Sequence, residues 1–161
     1  MILEGRTISK GRAEGKVLKL NEALSFLGGV DASTGELKVE NGGNVSGRIL
    51  VFPRGKGSTV GSFVMYDLKV HGKAPAAVIN SSAETIVATG AVISSIPMID
   101  SVDVNIIEDG DDVIVDADAG TVEIKGAEIK ESVSSVVLID GNILMLKRPE
   151  RSSSSPGRWS L

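Results

Sequence analysis

Residues 47–62 read GRILVFPRGKGSTVGS, and the fold turns on how they are read. Ile49-Leu50-Val51-Phe52 is a short apolar run with strand character. Pro53 closes it, and Gly55-Lys56-Gly57 forms a loop able to take positive φ. Ser58 and Thr59 then stand as candidate N-caps of a helix. Val60, Val64 and Leu68 recur at four-residue spacing and predict one buried helix face. The stretch is therefore strand, glycine loop, helix N-terminus. Free N–H groups and the positive end of the helix dipole would converge on an anion there, with Ser58 at the focus and Arg54 and Lys56 beside it.

Working outward, Ala76–Asn80 (AAVIN) reads as a second buried strand. Ser81 and Glu84 have capping-box spacing, which predicts a short helix Glu84–Ala88 that stops near Gly90. Ala91–Ile99 reads as a third strand, with Pro97 at its end or on a sheet edge. Strand, helix, strand, helix, strand predicts a parallel sheet with right-handed crossovers. Val102–Ile107, Asp112–Val115 and Thr121–Ile124 read as β-hairpin segments with turns at Asp109-Gly110 and Ala119-Gly120. Before the glycine loop, Arg6–Ile8 and Gly15–Leu20 read as short strands. Between them and the loop lies Leu24–Asp31 (LSFLGGVD), followed by turn chemistry at 31–35. This segment is either a loop packed on the core or a binding loop in which Gly28-Gly29 admits a ligand to the backbone.

Composition narrows the chemistry. The chain has 161 residues, enough for one domain and a small addition. Hydrophobic residues make up 42% and aromatic residues 3%, so the core must be built from Val, Ile, Leu and Ala. A net charge of −4 argues against a general nucleic-acid binder. With no cysteine and one histidine, this chain offers no disulfide, thiol nucleophile, cysteine-ligated cluster or histidine-based metal site. No apolar run approaches the roughly 18 residues of a membrane span, and the first fifteen residues lack the apolar segment of a signal peptide. The expectation is a cytoplasmic protein with no membrane partner.

His71 sits in a polar connection and reads as a surface side chain. The acidic stretch Glu108–Asp118 lacks the spacing of a calcium loop and reads as solvated turn carboxylates. Gly57 separates Lys56 from Ser58-Thr59, so the loop is not a P-loop, and no nucleophile elbow surrounds Ser58. Taken alone, the spacing supports an anion-binding α/β domain with a serine at its site.

Several stretches together carry a stronger signal. Ser25–Asp31 (SFLGGVD) with Thr34-Gly35, Pro53–Ser62 (PRGKGSTVGS), Gly72–Ala77 (GKAPAA) and Glu84–Ala91 (ETIVATGA), in that order, resemble the small subunits of the aconitase X family over roughly residues 1–125. The resemblance implies an α/β fold of the swivelling β/β/α type, like the mobile domain of aconitase, over residues 1–128. It implies a large-subunit partner carrying a [4Fe-4S] cluster on its own cysteines, consistent with their absence here. The implied reaction is loss of water from a small phosphorylated hydroxy acid, (R)-5-phosphomevalonate, to give trans-anhydromevalonate 5-phosphate. The serine of the glycine-loop motif, implied to be the proton acceptor, matches Ser58. The implied substrate-binding residues are Arg54, Gly55, Lys56, Gly57 and Thr59 of the same loop, with Ser25, Gly28 and Gly29. Ser58 as no more than a helix cap remains open. So do a relative's substrate such as hydroxyproline and a non-catalytic anion-binding module.

From residue 129 the character changes. Residues 132–161 carry Lys147, Arg148, Arg151 and Arg158 against Asp140 and Glu150, a net +2. Val136–Ile139 and Ile143–Leu146 around Asp140-Gly141 predict a short C-terminal hairpin. Together with Pro156–Leu161 (PGRWSL) this segment resembles the opening of a Nudix hydrolase domain, without the metal-binding glutamates that give that family its activity. A truncated fusion is one expectation.

Overall fold

Ile49–Phe52 (β4) is buried at all four positions, and so is Ala77–Asn80 (β5). A strand buried on both faces needs cover on both, which places the pair at the centre of a parallel sheet. The computed structural model describes residues 1–39 and 42–125, and beyond them the strands 136–139 and 142–145. The chain divides into two units, Ile2–Glu123 and Met1 with Ile124–Leu161.

The larger unit holds an eight-stranded sheet. Its further strands are Ile2–Glu4 (β1), Arg6–Ser9 (β2), Arg12–Lys19 (β3), Met98–Asp100 (β6), Asp112–Asp116 (β7) and Thr121–Ile124 (β8). Their order is β1-β8-β7-β3-β4-β5-β6-β2. The stretch β3-β4-β5-β6 is parallel, with Val17 beside Ile49, Ile49 beside Ala77 and Val78 beside Met98. Strand β3 is shared: Arg12–Lys16 pairs antiparallel with β7, whereas Val17–Lys19 pairs parallel with β4. One eight-residue strand thus joins the parallel layer to the antiparallel one.

Side chains alternate across β4. Leu50 and Phe52 face the helices, Gly61–Val70 (α2) and Thr85–Ile93 (α3), in a core with Met65, Leu68, Val87, Ala91 and Met98. Ile49 and Val51 face the other way and are equally buried, as are Val113 and Val115 of β7. The Phe26 and Phe52 rings meet edge to face at 6.1 Å. The expected βαβαβ order and the β/β/α layering are both present.

Four local expectations need correction. Helix α2 starts at Gly61, not directly after Ser58 or Thr59, and its buried positions are Gly61, Ser62, Met65 and Leu68, while Val60 is exposed. Leu68 is buried as expected and Val64 packs partly against the core, so of the expected face only Val60 is misplaced. Helix α3 is capped by Glu84 itself, whose carboxylate accepts the N–H groups of Ile86 at 3.0 Å and Val87 at 3.2 Å. It also runs through Gly90 to Ile93, because that glycine is a contact point: a Cβ there would lie 2.5 Å from Met65 Sδ. Residues 91–93 are therefore helical, and the third strand is only Met98–Asp100, starting directly after Pro97. Val104–Ile106 is a 3₁₀ turn where a hairpin segment was expected.

In the second unit, Val136–Ile139 (β9) and Asn142–Met145 (β10) pair antiparallel with Ile139 opposite Asn142, the second strand one residue earlier than expected, and the expected turn at Asp140-Gly141 lies outside the described residues. The rest of 126–161, including the remainder of the Nudix-like stretch, lies outside the described residues.

The ends of the parallel strands are held by buried polar groups. Asn80 Nδ2 donates to the Phe52 carbonyl at 2.9 Å, tying the end of β5 to that of β4. Asp100, 1% exposed, accepts Arg6 Nε at 2.9 Å, Arg6 Nη2 at 2.7 Å and the Ala83 N–H at 2.8 Å. Burial pushes its carboxyl up, but the Arg6 and Ala83 hydrogen bonds, the Arg6 charge and the Ser101 hydroxyl outweigh it and hold it below the ordinary value of 3.8. A carboxylate lowered on folding contributes stability above its unfolded pKa and loses it as pH falls through the folded one. Asp100→Asn should cost on the order of 2 kcal/mol at neutral pH. It should also flatten the decline of stability below pH 4, read from urea midpoints across an acid series.

Candidate functional site

The glycine loop leaves the buried end of β4 and is fastened on both sides. On one side Leu24 forms a parallel bridge with Gly55: the Leu24 N–H donates to the Arg54 carbonyl and the Lys56 N–H to the Leu24 carbonyl, both at 3.0 Å. On the other side the Pro53 carbonyl accepts the N–H groups of Ser81 at 3.0 Å and Ser82 at 3.2 Å. Gly55 is buried beneath the start of α3, where a Cβ would collide with Val87 and lie 2.9 Å from Glu84 Oε1. Gly57 takes φ +96°, and a Cβ on it would sit 2.5 Å from Ser25 Oγ. These two glycines are thus required by close approach and by backbone conformation.

The expected focus of free N–H groups has moved. The first N–H groups of α2 are already taken: Gly61 donates to the Ser58 carbonyl at 2.9 Å and Phe63 to the Val60 carbonyl at 2.9 Å. One turn earlier, the N–H groups of Gly57, Ser58 and Thr59 have no hydrogen-bond partner among the described residues. Three successive open N–H groups around a glycine of positive φ make a concavity suited to an anion. Ser58 is half-buried, and its Oγ accepts the Val60 N–H at 3.1 Å. It therefore stabilises the turn before the helix and does not cap the helix proper. Arg54, Lys56 and Thr59 are exposed on the same loop.

Beside this loop lies a cavity of about 340 Å³. The structure brings Ser25, Gly28, Gly29 and Lys56 of the sequence-derived set to its wall. It leaves Arg54, Gly55, Gly57, Ser58 and Thr59 off that wall, on the adjoining loop. The segment 26–29 is a single irregular turn, with Leu27 at ψ 115° and Gly28 at φ +85°, and Phe26 anchors it in the core. A cavity adjoins segment 24–29, and the core-packing reading holds for Leu24, Phe26 and Val30. Sequence reasoning missed Lys19, Leu20 and Asn21 on the same wall. The signal that could have found them is topological: Lys19 ends a strand parallel to β4, and adjacent parallel strands deliver their loops to the same edge.

Other candidates resolve as framework. His71 is exposed, and its Nδ1 lies 2.7 Å from the Asp67 carbonyl at the end of α2. In the acidic stretch, Asp109 accepts the Lys19 N–H, Asp116 those of Asp118 and Ala119, and Asp118 that of Gly11. No group of three or more His, Cys, Asp or Glu able to hold a metal ion occurs among the described residues, and the chain has no cysteine, so its residues do not fit an iron–sulfur cluster. No helix among the described residues is long and apolar enough to cross a membrane.

Comparison with known proteins adds the context of this geometry. A family model described as the aconitase X swivel domain matches residues 2–124. The phosphomevalonate dehydratase small subunit of Thermococcus kodakarensis is 57% identical over 128 residues, 77% of this chain and 96% of that one. That of Methanosarcina acetivorans is 49% identical over 139 residues, 80% of this chain and 96% of that one. A crystal structure of Thermococcus kodakaraensis aconitase X in its holo-form is similar with a TM-score of 0.75 and 55% identity, covering 77% of this chain and 98% of that one.

Gly55 of the glycine loop and Gly28 of the adjoining segment can be told apart by substitution. Gly55→Ala should cost about 1–3 kcal/mol, because both the Val87 side chain and the Glu84 cap must shift. Gly28→Ala has open space around its Cβ and carries only the strain of φ +85°, roughly 1 kcal/mol. Denaturant unfolding of both variants checks the order.

Proposed function

The chain belongs to the aconitase X swivel-domain family, and from that premise we propose that it serves as the small subunit of a phosphomevalonate dehydratase, a hydro-lyase, with Ser58 as the group that takes the substrate proton. The observation that carries the reading is the glycine loop, in which a half-buried serine hydroxyl adjoins three open backbone N–H groups.

The reaction removes water across two carbons of (R)-5-phosphomevalonate. A proton leaves the carbon next to the carboxylate, the C–O bond of the neighbouring hydroxyl breaks, and a double bond forms to give trans-anhydromevalonate 5-phosphate. Acceptance of that proton by Ser58 requires its alkoxide. A hydroxyl in water is far too weak a base, so the loop must favour the anion. The Val60 N–H already donates to Ser58 Oγ, and such a bond strengthens when the oxygen is charged. Arg54 and Lys56 precede it on the same loop and add positive potential. The open N–H groups of Gly57, Ser58 and Thr59 suit the substrate carboxylate, which must be held where the proton to be removed faces Oγ. Arg54, Lys56, Gly57 and Thr59 on this loop and Ser25, Gly28 and Gly29 across the cavity rim form the proposed substrate surface of this chain, while Gly55, expected on it, is buried beneath α3 and shapes the loop from below.

The reading requires a large-subunit partner. The cysteines of a [4Fe-4S] cluster would have to come from that subunit, since this chain has none.

The test is dehydration by this chain reconstituted anaerobically with a cluster-bearing large subunit. Ser58→Ala should assemble normally, lose about 1 kcal/mol of stability with the Val60 hydrogen bond, and lose activity by at least ~10²-fold. Retention of activity in that variant would reduce Ser58 to a turn residue. An inactive wild-type complex with an intact cluster would move the substrate to another hydroxy acid.

A further inference from the structure

Helix α2 is apolar on both sides. Met65 and Leu68 turn inward and are fully buried. Phe63, Tyr66 and Val70, at spacings of three and four, share the opposite face. Phe63 and Val70 are each 64% exposed and Tyr66 is 48% exposed. A helix that does no more than close a core carries polar residues outward. The aromatic residues sharpen the contrast. The chain has three Phe and one Tyr. Phe26 and Phe52 meet in the core, and the remaining Phe and the Tyr both stand on this one face. Exposed aromatic side chains in an apolar patch are characteristic anchors of protein interfaces.

The face is continuous with the serine loop. Leu27 and Val60 extend it, and both are exposed. The start of α2 lies against the Leu27 segment, since a Cβ on Gly61 would stand 4.0 Å from the Leu27 nitrogen. Val60 is also the residue whose N–H donates to Ser58 Oγ. From there the ten residues of α2 carry the stripe about 15 Å along the surface. Asp67, Lys69 and His71, all exposed, supply polar groups around its far end.

We propose that this face is where the large subunit docks, with Phe63 and Tyr66 as its anchors. The inference rests on the small-subunit reading and gives it a surface. The occupant follows from the chemistry of the loop. The chain has no cysteine, so the partner that supplies the cluster must come up to Ser58. An apolar stripe that begins at the residue bonded to Ser58 is covered by whatever arrives there. A second copy of this chain brings no cluster and gives no reason for the stripe to start at that loop.

The test measures association of the full chain with the cluster-bearing large subunit by titration calorimetry, without substrate. Phe63→Gln/Tyr66→Gln should weaken binding at least about 30-fold. It should leave the unfolding midpoint of the free chain nearly unchanged, because both side chains face solvent and Gln is a good helix former. Phe63→Leu/Tyr66→Phe should keep most of the affinity. Ile2→Gln, which removes an exposed apolar side chain from β1, should bind as the wild type does. Binding by the double Gln variant as tight as that of the wild type overturns the docking face and leaves the small-subunit reading standing. A free chain that is dimeric, and that the double Gln variant splits without loss of affinity for the large subunit, assigns the face to a second copy and overturns the proposal. A wild-type chain that does not bind the large subunit removes the small-subunit reading and this inference with it. Tight wild-type binding without dehydration of 5-phosphomevalonate, with the loss in the double Gln variant intact, keeps the docking face and moves the substrate alone.

Discussion

The site depends on a two-residue zipper, the reciprocal pair of backbone hydrogen bonds that lays Leu24 alongside Gly55. Without it the glycine loop would be a free excursion between β4 and α2. With it, the loop is pressed between segment 20–29 on one side and the start of α3 on the other. Side chains have little room in such a layer. Gly55 is excluded from having one by Val87 and Glu84, and Gly57 by Ser25 and by its own φ. The glycines are thus a consequence of the zipper, and the open N–H groups at 57–59 are a consequence of the glycines. Backbone that cannot bear side chains is what an incoming anion can reach.

How much of this was legible in the sequence depends on the range of the interaction. β4 and β5 were legible because short all-apolar runs bounded by Pro, Gly and Ser mean buried strands. The Ala91–Ile99 stretch misled because an apolar run of that length has no period that separates a buried helix end from a strand, and the arbiter was tertiary: Gly90 against Met65 continues the helix. Gly90 read locally is a stop; read in the fold it is the place where α2 and α3 approach each other. The start of α2 was misplaced for a similar reason. Ser58 has the right chemistry for a cap, but the Ser58 and Thr59 carbonyls accept one turn early, so the serine serves the turn before the helix.

The family was legible through a resemblance that the comparisons uphold, and on that resemblance rests the proposal of the glycine loop, Ser25 and Gly28-Gly29 as site residues. That Ser25, Gly28, Gly29 and Lys56 would share a cavity was not legible, and Lys19 was invisible. No local pattern states that β3 lies beside β4 in parallel, some thirty residues upstream of it. That neighbour relation is dictated by β3's dual role: its first half must close the antiparallel layer with β7 and its second half must cover the edge of β4. The same strand that joins the two layers therefore carries a lysine to the edge where the loops gather.

An acidic chain that offers a cationic site poses an electrostatic question, and distance answers it. At physiological salt the screening length is about 8 Å, so a ligand responds to the charges in its own neighbourhood and hardly to the total. Many of the carboxylates are moreover engaged locally. Asp112 and Asp116 lie against Lys16 and Arg12, Asp100 is clamped by Arg6, and Asp109 and Asp118 accept backbone N–H groups. The serine loop keeps Arg54 and Lys56 exposed, and water weakens what they can do: unit charges 4 Å apart are worth about 1 kcal/mol in bulk water but about 4 kcal/mol at the effective dielectric near a covered protein surface. On the proposed reading, such a loop would hold an anion feebly while it is wet and more firmly if the large subunit covered it. Under the proposed division into a small subunit and a large partner, an acidic chain would carry a local cationic loop whose hold on an anion rises when the partner covers it.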